Sequence, residues 1–458
     1  MSVVKHARIF VAIATCALVG SPLAAFPTLR AYFIDNGLYE DLCQVHSEAT
    51  IHCLARQLQF DKIYVFGAFS TGLGILLGYY VLNLAGFTCS SLVGNFLLAL
   101  GCFLMGSDPK EVPELDNFVW GFALICLGQP FTLFSALDAS SYVEGWTLPF
   151  VVFLLAIAAL ASGIWHYAIV NLAPESIVDL FNWYLLVPIV LVCATIAVAP
   201  LCGFNTAEGR VDRLVERAFR PSLDKSPELP LLEHQVDDVD ESLWVIGKEK
   251  QNASRIASRW FWALFIFYAA NMLVLDGFMS SGPEYAWSVN HASGIVVYYL
   301  SVYAPVVSAG GVVLTALAFY KMPHFYVISL TQILCLACPV LLLFGQWKAA
   351  AIIVPLGRVL LHAAAVNYCA RVFGFSSFGF VYGILNVFSG ITLCLLPVID
   401  HFLLSFEGPS RALMVSVAVF QAVSIAISLR LFATKISFID RCLLEREAEQ
   451  SVEGAISL

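Results

Sequence analysis

The chain has 458 residues, 60% of them hydrophobic and only 12% charged, with a mean hydropathy of +0.82. A soluble domain carries about a quarter charged residues and under half apolar ones, and its surface must still face water, so one globular core cannot hide this excess. The formal net charge of −9 is spread over loops and tails and is no signal for nucleic acid or basic partners, and lipid is the solvent that fits the composition.

A membrane span takes about 20 mainly apolar residues to cross roughly 30 Å. In chain order such runs lie at 9–34, 59–82, 87–106, 118–137, 147–169 and 181–203. A polar stretch over 204–257 follows, then runs at 259–282, 292–319, 324–344, 347–370, 376–399 and 411–433. The expectation is an all-α polytopic membrane protein with twelve transmembrane helices in two six-helix halves. The divisions are an N-terminal bundle over 1–203, a linker loop over 204–257, a C-terminal bundle over 258–434 and a tail over 435–458. Lys5, Arg8 and the later Pro22-Leu23-Ala24-Ala25 imitate a cleaved signal peptide. The apolar run continues to Phe33, which predicts a retained first helix instead.

Lys and Arg in short flanks and loops set orientation. The central loop holds Arg210, Arg213, Arg217, Arg220, Lys225, Lys248, Lys250 and Arg255, and Lys5, Arg8, Lys321, Arg371, Lys435, Arg441 and Arg446 fall on the same side. The opposite side has Arg56, Lys110, Lys348 and Arg411, so both termini and the central loop are expected in the cytoplasm. The steps from Arg210 to Arg220 predict a short amphipathic helix on an anionic leaflet. The acidic, Pro-containing stretch after it reads as flexible linker. Asn252-Ala253-Ser254 is a glycosylation sequon that this orientation leaves silent. Cys43 and Cys53 share the first external loop, where a disulfide is a candidate. The remaining Cys sit mostly in apolar runs as small hydrophobes, and no spacing suggests a metal site.

The two halves show a faint repeat. GQPFTLFSALDASSYVEG from Gly128 aligns without a gap on GRVLLHAAAVNYCARVFG from Gly357, pairing Gln129 with Arg358 and Asp138 with Asn367. With the six-loop-six plan this places a substrate path between the halves. The plan resembles the major facilitator superfamily. Phe26-Pro27-Thr28-Leu29, the run Gly37-Leu38-Tyr39-Glu40-Asp41-Leu42-Cys43, then Cys53 and Gln57 are similar to its solute carrier family 43, the system-L-type amino acid transporters. Arg358-Val359-Leu360-Leu361 and Phe378-Gly379-Phe380-Val381-Tyr382-Gly383 extend that resemblance to the tenth and eleventh helices. The chain departs from the superfamily between its second and third helices. Asn83, Thr88, Cys89 and Ser91 stand where an Asp and basic residues are usual, so the gating charges of that loop are absent.

Arg358 lies midway along its helix, where a charge costs about 2.5–3.5 kcal/mol on insertion scales. It is expected to point into the bundle. Either it pairs with Asp276 of the seventh helix, or it holds a substrate carboxylate through a bidentate pair; the resemblance favours the second. Asp276 could meet a substrate amino group, accept a proton, pair with Arg358, or lie near the external mouth before Gly282-Pro283. Ser21 and Thr28 belong to a first helix interrupted by Pro22 and Pro27. Interruption frees backbone groups that line a wet cavity or mark a packing kink. Gln129 and Asn386 are further substrate-binding candidates, with Asn271, Tyr299, Tyr303 and His362 as other inward-facing polar residues. Pro130 and Pro149 mark bends.

No hydrolase elbow, phosphate-cradling Gly loop or zinc-binding HExxH motif is present, so no enzyme activity, cofactor or metal is expected. The expected function is a monomeric secondary transporter moving a small-molecule substrate by alternating access across the lipid bilayer. The resemblance implies amino acids, large and neutral ones given the abundant aromatics. A nucleobase facilitator of the same family is the alternative, and a non-transporting receptor or scaffold with a transporter fold is the alternative of another class. The plasma membrane is the default address. Asp440-Arg441-Cys442-Leu443-Leu444 resembles a dileucine sorting signal, which keeps an endolysosomal or vacuolar membrane open.

Overall fold

The computed structural model describes residues 2–43, 53–107, 116–143, 146–172, 174–202, 256–290, 293–321, 324–373, 378–405, 418–419 and 421–426. Their regular structure is helical throughout. The basic segment at 210–220, the acidic linker, the Asn252 sequon and the dileucine-like tail lie outside the described residues, as does most of the run at 411–433.

The first run is broken where proline chemistry requires it. Helix α1 (Ser2–Val19) ends at Gly20, Ser21 turns left-handed at φ 52°, and α2 (Phe26–Asp35) restarts after a short turn. Pro27 does not interrupt a helix. It sits in the first turn of α2, where its missing N–H costs nothing. The donors released by the break are met locally, with Ala24 and Ala25 donating to Ser21 O and Phe26 to Leu23 O. A Cβ on Gly20 would lie 2.5 Å from the Ala158 carbonyl oxygen, so the break serves a backbone-to-backbone approach.

Helix α3 (Leu54–Met105) is 52 residues long, about 78 Å at 1.5 Å per residue and over twice a bilayer core. Gly86, at φ 77° and ψ −176°, divides it into the two predicted runs. An L-side chain is disfavoured at that angle, which explains glycine there. The first half continues with α4 (Asn117–Asp138), α5 (Thr147–Leu160), α6 (Ser162–Leu172) and α7 (Ile177–Cys202). Asp116 caps α4, accepting from the N–H groups of Phe118 and Val119. The second half contains α8 (Arg259–Asn290), α9 (Ser293–Tyr298), a π-turn over Tyr299–Tyr303 and α10 (Ala304–Lys321). It continues with α11 (His324–Leu343), α12 (Trp347–Val372), α13 (Phe378–Leu393) and α14 (Leu396–Ser405).

Among the described residues eight helical stretches are long and apolar enough to cross a membrane, the divided α3 being one of them. Their burial inverts the rule for soluble proteins. The stretch Thr147–Leu172 has a mean hydropathy of 2.3 but is only 22% buried, whereas Phe261–Ala286, at 1.6, is 72% buried. Leu84, Trp183 and Phe344 are exposed on the outside. The greasiest helices face outward and the more polar α8 occupies the centre, as a protein dissolved in hydrocarbon requires. The chain is a multi-pass membrane protein.

The halves meet along two seams. The first limb of α3 packs on α13, and α5 packs on α10. At the α3–α13 seam a Cβ on Gly72 would lie 2.7 Å from the Asn386 backbone, and one on Gly383 would lie 2.8 Å from Leu76 Cα. Small residues let helix backbones touch where no hydrophobic force drives helices together in lipid.

Candidate functional site

A column of buried polar side chains runs between the halves along α3 and α8. On α8, Asp276, Ser280 and Glu284 recur every four residues, and on α3 Tyr64, Asp61 and Gln57 recur at steps of three and four. Each step is one helical turn, so each residue stacks above the last on the same face. The α3 and α8 faces look at each other, which brings the residues together in layers.

At the innermost of these layers Arg358 Nε of α12 lies 3.1 Å from Asp276 Oδ1, and the Tyr64 hydroxyl donates to the same oxygen at 2.9 Å. Asp276 is fully buried and its Oδ2 accepts no hydrogen bond among the described residues. The sequence left Arg358 two partners, and the structure contains the internal one. Asp276 is not at an external mouth. A buried ion pair is weak evidence for stability because desolvation offsets most of its attraction. A charge pair that leaves one carboxylate oxygen unsatisfied is a better match to a ligand than to a structural clasp.

One turn along α12, His362 Nδ1 lies 2.7 Å from the Tyr268 hydroxyl and 3.1 Å from that of Tyr382. Tyr268 also donates to Asn386 Oδ1 at 2.8 Å, while Asn386 Nδ2 donates to Tyr382 O. Asn386 therefore stands in the network beside Arg358, and its backbone touches Gly72 across the seam.

The other expected residues are placed differently. Thr28 donates to Ser301 of the π-turn at 2.8 Å, another contact across the halves. Ser21 is half-buried at the break in the first helix. Gln129 faces a narrow cleft with Thr15, Cys16 and Gly20, so it groups with α1 despite its repeat relation to Arg358. Asn271 is committed, accepting from Gln421 and donating to Phe267 O. Tyr303, expected to face inward, is 44% exposed. Its ring meets that of Tyr298 edge-on at 5.8 Å and that of Tyr299 at a tilt at 5.0 Å.

Two charge clusters went unread in the sequence. Beyond Asp276, towards the loop that carries Cys43 and Cys53, Arg30 of α2 forms an ion pair with Glu284 and donates to Gln57. Asp61 and Asp400 lie between this pair and Asp276. The four-residue polar recurrence on α8 was the available signal. At the opposite end, beside Gly86, Arg8 forms a 2.7 Å ion pair with Asp138 and lies 4.0 Å over the Phe87 ring. This ion pair joins α1 to α4 beside the stretch that carries Asn83, Thr88, Cys89 and Ser91.

Cys43 and Cys53 are joined by a disulfide, their Cα atoms 5.9 Å apart. Arg56, counted as a loop residue in the charge tally, is buried in the first turn of α3. It donates to the carbonyls of Ile34 and Leu38, so its charge meets the C-terminal end of α2.

No family model matches the sequence. Protein FMP42 of Saccharomyces cerevisiae is 22% identical over 434 residues, which covers 84% of this chain and 86% of that protein. Among solved structures, the peptide transporter POT superposes with a TM-score of 0.59 at 12% identity, over 93% of this chain and 94% of that chain. The nucleoside transporter NupG gives 0.58 at 10% identity, over 94% and 100% of the two chains. The xylose transporter XylE from E. coli, in a partially occluded inward-open conformation, gives 0.58 at 11% identity, over 94% and 99%. At such identities the likeness is one of fold: the chain has the all-α polytopic fold of the major facilitator superfamily.

Proposed function

We propose that the chain is a secondary transporter that moves amino acids by alternating access, its two six-helix halves rocking about the layer that contains Arg358 and Asp276. The observation that carries this reading is the buried Arg358–Asp276 pair with its unsatisfied Asp276 Oδ2. A zwitterion inserted into the pair gives Arg358 a substrate carboxylate and gives Asp276 a substrate ammonium. One internal ion pair is exchanged for two, and the empty acceptor is filled. The guanidinium fork matches a carboxylate bidentately. Tyr268, Tyr382 and Asn386 are suited to reading the rest of the molecule, and Thr28 would report closure through Ser301. Ser21 and Gln129 belong to the N-terminal wall of the path.

The resemblance to solute carrier family 43 supports large neutral side chains, as does the aromatic surround. We assign the division into bundles at 1–203 and 258–434 on the pattern of apolar runs, and the cytoplasmic placement of the termini and loop on the Lys and Arg distribution. Uptake of labelled leucine, arginine and adenine by cells expressing the chain tests the proposal. Leucine uptake that is competed by other large neutral amino acids supports it. Adenine uptake alone would select the nucleobase reading, and transport of none of them would remove the amino acid assignment.

A further inference from the structure

The layer between Asp276 and the Arg30–Glu284 pair contains two carboxylates from opposite halves, Asp61 of α3 and Asp400 of α14, both buried. Asp61 Oδ1 accepts from Gln57 at 2.9 Å and from Ser280 at 2.9 Å. Asp400 Oδ1 accepts from the Tyr285 hydroxyl. Ser281 Oγ sits between them, 3.2 Å from Asp61 Oδ1 and in close contact with Asp400 Oδ2, and it also accepts from Gln57 at 3.1 Å.

Donor counting favours one retained proton. A serine hydroxyl has one hydrogen and two lone pairs. Its hydrogen can point at one of the two carboxylates, so a full hydrogen bond to the other takes a hydrogen from a carboxyl group. The two carboxyl groups share the Ser281 hydroxyl, and repulsion between neighbouring carboxylates disfavours ionising both. A further sign is Asp61 Oδ2, which is buried and receives no hydrogen bond among the described residues. Charge counting agrees. The groups facing the pair are Arg30 from α2, Glu284 and Tyr285 from α8, with Tyr64 and Asp276 one turn inward. Arg30 is already matched by Glu284, and Asp276 by Arg358. Among the described residues no further cation faces the two acids, and neighbouring like charges disfavour double ionisation.

We infer that Asp61 and Asp400 form a proton-binding site that bridges the halves, where one shared proton latches the disulfide-bearing end shut and its release lets that end open. The shared proton belongs to the pair and to neither residue alone. When it leaves for water the bridge through Ser281 gives way to repulsion between two carboxylates on α3 and α14. The α8 residues Ser280 and Asp276 are one turn apart, so the latch adjoins the layer assigned to substrate. The link to transport rests on the function proposed above, whereas the site itself does not.

Infrared difference spectroscopy on the full chain in lipid, stepped through pH, reads the proton directly. The expected result is a carbonyl band of a protonated carboxylic acid that vanishes as pH rises and is absent in Asp61→Asn/Asp400→Asn. No titrating band, or the same band in the double variant, would overturn the site. Spin labels at Lys62→Cys and Val398→Cys, with Cys89, Cys193, Cys202, Cys394 and Cys442 changed to serine, read the latch. The ratio of long to short distances should rise by about tenfold per pH unit, as one released proton dictates, and should be flat in the double variant. Asp61→Asn alone, which leaves Asp400 beside a neutral amide, must also flatten it if the double variant folds poorly. A titrating band with pH-independent distances would overturn the latch. If both readouts behave as expected but no solute crosses vesicles, the transport reading fails and the proton site stands.

Discussion

Removing the guanidinium of Arg358 tests the central layer most directly. In Arg358→Ala, Asp276 loses the one cation it contacts and retains only the Tyr64 hydroxyl. Stripping one partner from a buried ion pair costs about 3–5 kcal/mol, or roughly two to four powers of ten in the folded-to-unfolded ratio at 1.36 kcal/mol per decade. The double change Arg358→Ala/Asp276→Asn removes the stranded charge and should recover most of that loss. Arg358→Lys separates stability from recognition. Lysine keeps a positive charge beside Asp276, so folding should be near normal, but it lacks the planar fork, so transport should fail. Thermal unfolding of purified protein and leucine uptake normalised to protein in the membrane give the two readouts. The reasoning is refuted if Arg358→Ala unfolds and transports like the unchanged chain, or if the double variant is no more stable than the single one.

Four further outcomes follow from the same structure. Peptide mapping without reduction should recover Cys43 linked to Cys53, and Cys43→Ser/Cys53→Ser should lose about 2–3 kcal/mol, the chain-entropy value for a loop of this size. Asp138→Asn should destabilise the chain by less than Arg8→Ala, because the neutral amide keeps a hydrogen bond to Arg8 whereas alanine leaves a buried acid; unfolding midpoints of the two variants decide this. Gly72→Val should lower the unfolding temperature more than Gly163→Val. At Gly72 the new atoms meet the fixed backbone of Asn386, whereas at Gly163 they meet the Pro305 ring at 3.2 Å. Tags at either terminus, or within residues 225–240, should be reached by antibody only after permeabilisation, and glycan on Asn252 would reverse the orientation.

Much of this fold is written in one-dimensional pattern. Apolar runs of about 20 residues force helices because lipid cannot satisfy a bare backbone, and Pro22 marks the break in the first run. The turn at Gly86 was placed by two apolar runs that share a single helix of 52 residues. Pairing is different, because it depends on which helix faces meet. The sequence could show that Arg358 needed a partner, but only the packing of α8 against α12 selected Asp276 as that partner and drew Gln129 towards α1. Asp61 and Asp400 are 339 positions apart. Each alone reads as an isolated acid near a helix end, and nothing local links them. They share a layer because the glycines of α3 and α13 let two backbones touch, which carries the ends of both halves together. The sequence by itself determined which segments enter the membrane, since that is a property of each segment's own transfer energy. The tertiary structure decided which charges share a layer, since a buried charge is stabilised only by groups that packing brings within a few ångströms.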